Sequence, residues 1–170
     1  MIRNYRDLTR LEMEQVNKDE TIVLIPLGAL EQHGNQAPLG TDDIIAEAMT
    51  DYIRRELEGE PSSEDSDFPM LVFPVIPVGL STEHRNFCGS ITLKPDTYYH
   101  MLYDISTSLV HHGFKKLAFL VCHGGNAPIV QVLSRELRSE FGISPFILSS
   151  GAFSHPDVTA TISEGNIWDF

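Results

Sequence analysis

The sequence predicts an α/β fold, a mostly parallel sheet with helices on both faces. Three observations carry that prediction. Short apolar runs alternate with segments of helical periodicity along the chain. The runs are nearly continuous in apolar residues, as strands buried on both faces are. Several of them end in clusters of Glu, His, Ser or Asn, as strands do when their carboxyl ends form a ligand-binding rim.

The elements follow in order. TIVLIPL, residues 21–27, is the first buried strand. Thr41-Asp42-Asp43 opens a helix, because small oxygen-bearing side chains cap the free N–H groups of a first turn. Ile44, Ile45, Ala48, Met49, Tyr52, Ile53 and Leu57 recur at helical spacing and predict its apolar face. GEPSSEDSD is acidic and rich in Ser, which predicts a loop over 58–69. MLVFPVIPVG, 70–79, is a second strand, made irregular by Pro74 and Pro77 and so placed near an edge or ending early.

Pro95 opens a second helix and Gly113 closes it. KKLAFLVC, 115–122, is the third buried strand. A third helix spans Ala127 to Phe141 and stops at Gly142, and SPFILSS, 144–150, is a fourth strand. The tail 151–170 carries no clear element, and no segment repeats.

The totals restrict function. At 170 residues the chain suits one domain with a substantial core. A net charge of −12 argues against nucleic acid and against anionic membranes, both of which require clustered Lys and Arg. The N-terminus MIRNYRDLTR lacks the apolar core of a signal peptide, and no apolar stretch reaches the length of a membrane span. Cys88 and Cys122 stand in unrelated contexts and suit two thiols in a reducing cytoplasm better than a disulfide. Without a CxxC pair, a thiolate zinc site is not expected.

Three polar clusters fall at predicted strand ends: Glu31-Gln32-His33-Gly34, Ser81-Thr82-Glu83-His84 and His123-Gly124-Gly125-Asn126. Glu31 and His33 are two apart, so extended backbone points both to one side. Asp42 can reach back from the following helix, and His123 arrives from a neighbouring strand. Carboxylate with imidazole and no thiolate suits Zn²⁺, Mn²⁺ or Fe²⁺. One Asp can bridge two such ions, and a two-metal site activates water for hydrolysis.

Each cluster alone also admits a plainer reading, a solvated rim or a tight turn. HGGN at a helix start could instead cradle a phosphate, but neither a GxGxxG nor a Walker lysine accompanies it. Cys122 beside His123 suggests a Cys–His nucleophile, yet strand neighbours point to opposite faces, which favours a buried structural thiol. Ser81 either binds substrate or caps a turn. His111 and His112 suit the C-terminus of a helix, and His100 and His155 are read as structural or solvated.

Three blocks taken together carry a resemblance: IPLGALEQHGNQAPLGTD, GLSTEHRNFCGSITL and HHGFKKLAFLVCHGGN. In this order they resemble the creatininase (creatinine amidohydrolase) family, over residues 21 to about 140. The resemblance implies a three-layer α/β/α fold with a two-metal centre at the carboxyl rim. By it, Glu31 and His123 hold one ion, His33 the other, and Asp42 bridges. It implies hydrolysis of a C–N bond in a small cyclic amide, a formamide or a related molecule, one branch trimming a peptide, and assembly as a hexamer.

Two departures accompany it. A metal-binding Glu of creatininase itself falls at Gly125, although many relatives share the HGGN form. The later HAGxxETS-like block of the family is not reached before the final GNIWDF. The expectation is therefore a single domain over 1–170 that lacks its C-terminal part.

The functional expectation is a cytoplasmic metal-dependent amidohydrolase. Glu31, His33, Asp42 and His123 bind metal; Glu83 and His84 are candidates for proton transfer; and Ser81, Gly124, Gly125 and Asn126 line a small-molecule pocket. The alternative is a non-catalytic member that binds metal or a ligand as a subunit of an assembly.

Overall fold

Five segments of the chain pair into one sheet. A computed structural model describes residues 2–58 and 69–150. Its strands are β1 (Ile2–Asn4), β2 (Ile22–Leu27), β3 (Met70–Val72), β4 (Lys116–Val121) and β5 (Phe146–Ser149), with helices α1 (Arg10–Gln15), α2 (Thr41–Glu58), α3 (Pro95–His111) and α4 (Ala127–Phe141). The strand order is β1-β3-β2-β4-β5 and every pairing is parallel. The fold is the expected α/β architecture.

Alternation along each strand sorts side chains to the two faces. Val23, Ile25, Leu27, Leu71, Leu117, Phe119 and Val121 join Leu102, Leu109, Val130, Leu133 and Leu137 of α3 and α4 in the larger cluster. Leu24, Met70, Val72, Ala118, Leu120 and Cys122 point the other way, onto Ala46, Met49, Ile53 and Leu57 of α2. Fully burying one such side chain stabilises by roughly 1.5–3 kcal/mol, so the two clusters hold the helices to the sheet. Pro95 starts α3, while Gly142, in the left-handed region at φ 72°, ends α4 with its N–H donating to the Arg138 carbonyl.

Four findings depart from the sequence reading. The strand β1 and helix α1 were not anticipated, because three and six residues are too short for a periodic signal. The run 70–79 ends early, one of the two alternatives expected of it, pairing regularly only over Met70–Val72, but it lies between β1 and β2 rather than at an edge. Pro74 and Pro77 lack the N–H a ladder needs, so pairing ends there except at Ile76, which bridges to Leu27. The third departure is the rotation of α2: Ile44, Ile45 and Tyr52 are exposed at 55%, 36% and 46%, while Asp42, Ala46 and Thr50 are buried. Fourth, β5 covers only Phe146–Ser149, and Phe146 and Ile147 are exposed.

The tail 151–170 and most of the predicted 58–69 loop lie outside the described residues. Among the described residues no helix is long and apolar enough to cross a membrane.

Candidate metal centre

The chain moves from β2 through α2 to β3 on one side, and from β4 through α4 to β5 on the other. The crevice between β2 and β4 is therefore a switch point, where carboxyl ends of parallel strands leave room for a ligand. Glu31 and His33 follow β2, Asp42 starts α2, and His123 follows β4. Glu31, Asp42 and His123 are all buried, and one ligand atom from each lies within 4.8 Å of the others.

The contacts are close. His123 Nδ1 stands 3.2 Å from Asp42 Oδ2, and His123 Nε2 3.3 Å from Glu31 Oε2. His33 Nε2 lies 3.4 Å from Asp42 Oδ1, which makes Asp42 the member shared by two imidazoles. His84 joins from the 3₁₀ turn Thr82–His84, its Nε2 3.5 Å from Glu31 Oε1.

The donor set fits a divalent cation on two grounds. Glu31 Oε2 and Asp42 Oδ2 are buried and have no hydrogen-bond donor. A buried carboxylate oxygen without a donor is costly unless a cation compensates it. The histidines His33 and His123 each set one ring nitrogen on a backbone carbonyl and turn the other to Asp42, an orientation that metal-binding histidines share. His33 Nδ1 is 3.2 Å from the Glu31 carbonyl, and His123 Nε2 is 2.6 Å from the Leu80 carbonyl. Burial pulls the His123 imidazole towards neutrality, but Asp42, the Leu80 carbonyl and Glu31 outweigh it, and its pKa rises.

The rim is held by groups that sequence reasoning placed elsewhere. Asn126, expected at the substrate, is fully buried. Its Oδ1 accepts from Leu80 N–H and its Nδ2 donates to the Gly28 carbonyl, each at 2.9 Å. Both functional atoms are engaged, so it fastens the end of β2 to the Leu80 loop rather than meeting a substrate. Gly79 permits that approach, since a Cβ there would stand 2.2 Å from Asn126 Oδ1; Gly28 makes room for Asp43 instead, whose Oδ1 would lie 2.0 Å from its Cβ.

Gly125 is similarly constrained, its Cβ position lying 2.2 Å from the Leu80 carbonyl and 2.5 Å from His123 Nε2. Gly124 faces open space. Ser81 is fully buried and its Oγ has no partner. Glu83 is exposed and makes no contact with the cluster among the described side-chain hydrogen bonds and ion pairs.

Other expectations find their places. Cys88 and Cys122 are both free thiols. Burial, with Asp42 nearby, pushes Cys122 up to about 12, which makes it inert as a nucleophile. His111 and His112 end α3 as read from the sequence. The sequence reading gave no role to Gln32, whose amide lies 2.9 Å from His84 Nδ1. Its position inside the first polar cluster was the available signal.

A parallel α/β sheet with buried carboxylates and imidazoles gathered at its switch point defines an α/β protein with a metal-binding centre. The family model described as Creatininase: Creatinine amidohydrolase matches residues 6–166, and the chain belongs to the creatininase family.

Relatives agree. The chain is 33% identical over 118 residues to the mycofactocin precursor peptide peptidase of Mycobacterium ulcerans (strain Agy99), covering 69% of this chain and 46% of that protein. It is 25% identical over 142 residues to the creatinine amidohydrolase of Pseudomonas putida, covering 78% of this chain and 50% of that protein. Among solved structures, a mutant creatininase of the Zn–Zn type superposes with a TM-score of 0.73 at 25% identity, over 95% of this chain and 64% of that one. The chain spans about half the length of the curated relatives it matches.

Proposed function

We propose that the chain forms the metal-binding part of an amidohydrolase that cleaves a C–N bond, with Glu31, His33, Asp42 and His123 as ligands of two divalent ions and Asp42 between them. The observation that carries this reading is the pair of buried, donor-free carboxylate oxygens, Glu31 Oε2 and Asp42 Oδ2, beside His123. Zn²⁺, Mn²⁺ or Fe²⁺ held there supplies Lewis acidity and an activated water for hydrolysis.

The chain's own residues set the conditions for that chemistry. The Leu80 and Glu31 carbonyls orient the two ligand imidazoles, and the apolar strand ends beneath keep the carboxylates from bulk water. The exposed Gly124 backbone is the substrate contact in this reading, with Gly125 holding the turn; Ser81 Oγ is too buried to meet a substrate. Glu83, exposed beside His84, is the group free to exchange a proton with a leaving amine. The higher identity to a peptide peptidase than to a creatinine amidohydrolase supports a peptide amide over a small ring as the substrate.

The test is elemental analysis of protein purified without chelators, beside Asp42→Asn, followed by assays of peptide and cyclic-amide hydrolysis. About two transition-metal ions per chain, lost in Asp42→Asn, are expected from a bridged site. No bound metal would sink the reading. Metal without hydrolysis of either substrate class would favour the non-catalytic alternative. Undiminished turnover in Glu83→Ala would remove Glu83 from the proton transfer.

A further inference from the structure

Three histidines surround the two buried carboxylates, and their hydrogen bonds sort them into two kinds. His33 directs Nδ1 to the Glu31 carbonyl and His123 directs Nε2 to the Leu80 carbonyl. A carbonyl only accepts, so each of those nitrogens carries a proton, and the other nitrogen faces Asp42. Both are arranged as ligands. His84 is arranged the opposite way.

The difference originates at Gln32. The Gly34 N–H donates to Gln32 Oε1 at 2.9 Å, and Gly34 sits at φ 72°, a backbone conformation that glycine adopts freely. An N–H can only donate, so this contact identifies Oε1 and fixes which way the amide faces. Gln32 Nε2 is therefore the atom 2.9 Å from His84 Nδ1, and it donates. His84 Nδ1 must accept, which leaves the proton of the neutral ring on Nε2. That nitrogen faces Glu31 Oε1 at 3.5 Å, a donor towards an acceptor, though at the long limit for a hydrogen bond.

The relay is braced at every joint. Gln32 N–H donates to Ser90 Oγ at 3.0 Å, Ile91 bridges to Leu30, and the His84 ring lies against Phe87 with centroids 6.0 Å apart.

We infer that Gln32 is a positioning residue that locks His84 as its Nε2–H tautomer, so that His84 holds Glu31 Oε1 and leaves Oε2 for the cation. His84 is then an outer-sphere donor and not a metal ligand. The function of the lock rests on the metal reading above; the lock itself does not. Without it, the other tautomer would set a lone pair against the carboxylate, and Glu31 would lose the contact that orients it. Partners of this outer kind typically contribute 10–100-fold to metal affinity.

The test is ¹⁵N NMR of the imidazole nitrogens in wild type, Gln32→Ala and Gln32→Glu, with and without Zn²⁺, beside zinc affinity by chelator competition. Wild-type His84 is expected to show a pyridine-like Nδ1 and a pyrrole-like Nε2, retained when Zn²⁺ binds. Gln32→Glu, nearly isosteric, offers a carboxylate in place of the amide and is expected to put a proton on Nδ1 and so abolish its pyridine-like signal. Gln32→Ala is expected to mix the tautomers. Both variants should bind zinc at least about tenfold more weakly.

A wild-type ring protonated on Nδ1, tautomers indifferent to both substitutions, or a zinc-shifted His84 Nε2 would each overturn the inference. Unchanged zinc affinity in variants with altered tautomers would overturn the positioning role. A wild type with the expected tautomer that binds no Zn²⁺ would sink the metal reading and leave the lock standing.

Discussion

Asn126 does its work with two atoms. Its amide satisfies the Leu80 N–H and the Gly28 carbonyl, both inside the rim. Each buried backbone group left without a partner costs roughly 1–3 kcal/mol. Asn126→Ala should therefore lower stability by about 2–6 kcal/mol, read as a fall in the denaturant midpoint at an unchanged slope; a loss below about 1 kcal/mol would show that water replaces the amide. The gathering of Glu31, Asp42 and His123 was legible in the sequence because Glu, His and Asp seldom crowd a strand end without cause. Asn126 was legible as part of the same rim but not in its role. A contact across 98 residues, onto a carbonyl, leaves no local pattern. Gln32 was hidden for the same reason, since its partner lies 52 residues away.

At the scale of elements, boundaries were easier to read than rotations. The helices α2, α3 and α4 begin near the predicted residues because caps and prolines are local signals. The rotation of α2 is not local. Asp42 faces the candidate metal centre, and that sets the inward line of α2, with Asp42, Ala46 and Thr50 buried and Met49, Ile53 and Leu57 half-buried. Ile44 and Ile45 are turned outward by the same constraint, although hydrophobicity alone ranks them first.

The helix α1 offers a sharper test of local chemistry. Thr9 N–H donates to Glu12 Oε2 at 2.8 Å and Thr9 Oγ1 accepts from Glu12 N–H, a capping box, while Arg3 of β1 donates to Glu12 Oε1 at 2.7 Å. The Thr9 backbone first, then its hydroxyl and Arg3, hold the Glu12 carboxyl at about 2, against an ordinary 4.5. The folded value is depressed, so the stabilisation is present above 4.5 and is lost as pH falls towards 2. Glu12→Gln should lower stability at neutral pH and flatten its fall through that acid range. An acid limb parallel to wild type, in urea melts at successive pH values, would contradict the arrangement.

For the whole molecule, the alternation of strands and helices made the layers legible, and the parallel sheet then placed three polar clusters on one rim. The order of strands was not legible, because pairing depends on contacts far apart in the chain. The candidate metal centre is also a property of the whole. Because the residues proposed to hold it span both sides of the switch point, a cation that binds only the folded chain should stabilise all of it. Zn²⁺ at about 100 times its dissociation constant should add roughly 2.7 kcal/mol, seen as a melting temperature that climbs with zinc and falls back with chelator. A melting temperature indifferent to both would count against a site in the folded chain.

The central place of β2 has a consequence for the chain as it is made. β2 finds β3 on one flank early, but its other flank is closed only by β4, whose first residue comes 89 positions after the last of β2. Until β4 leaves the ribosome, one of the most apolar strands is an open edge. Over that interval the exposed edge is the part of the chain most open to pairing with another strand.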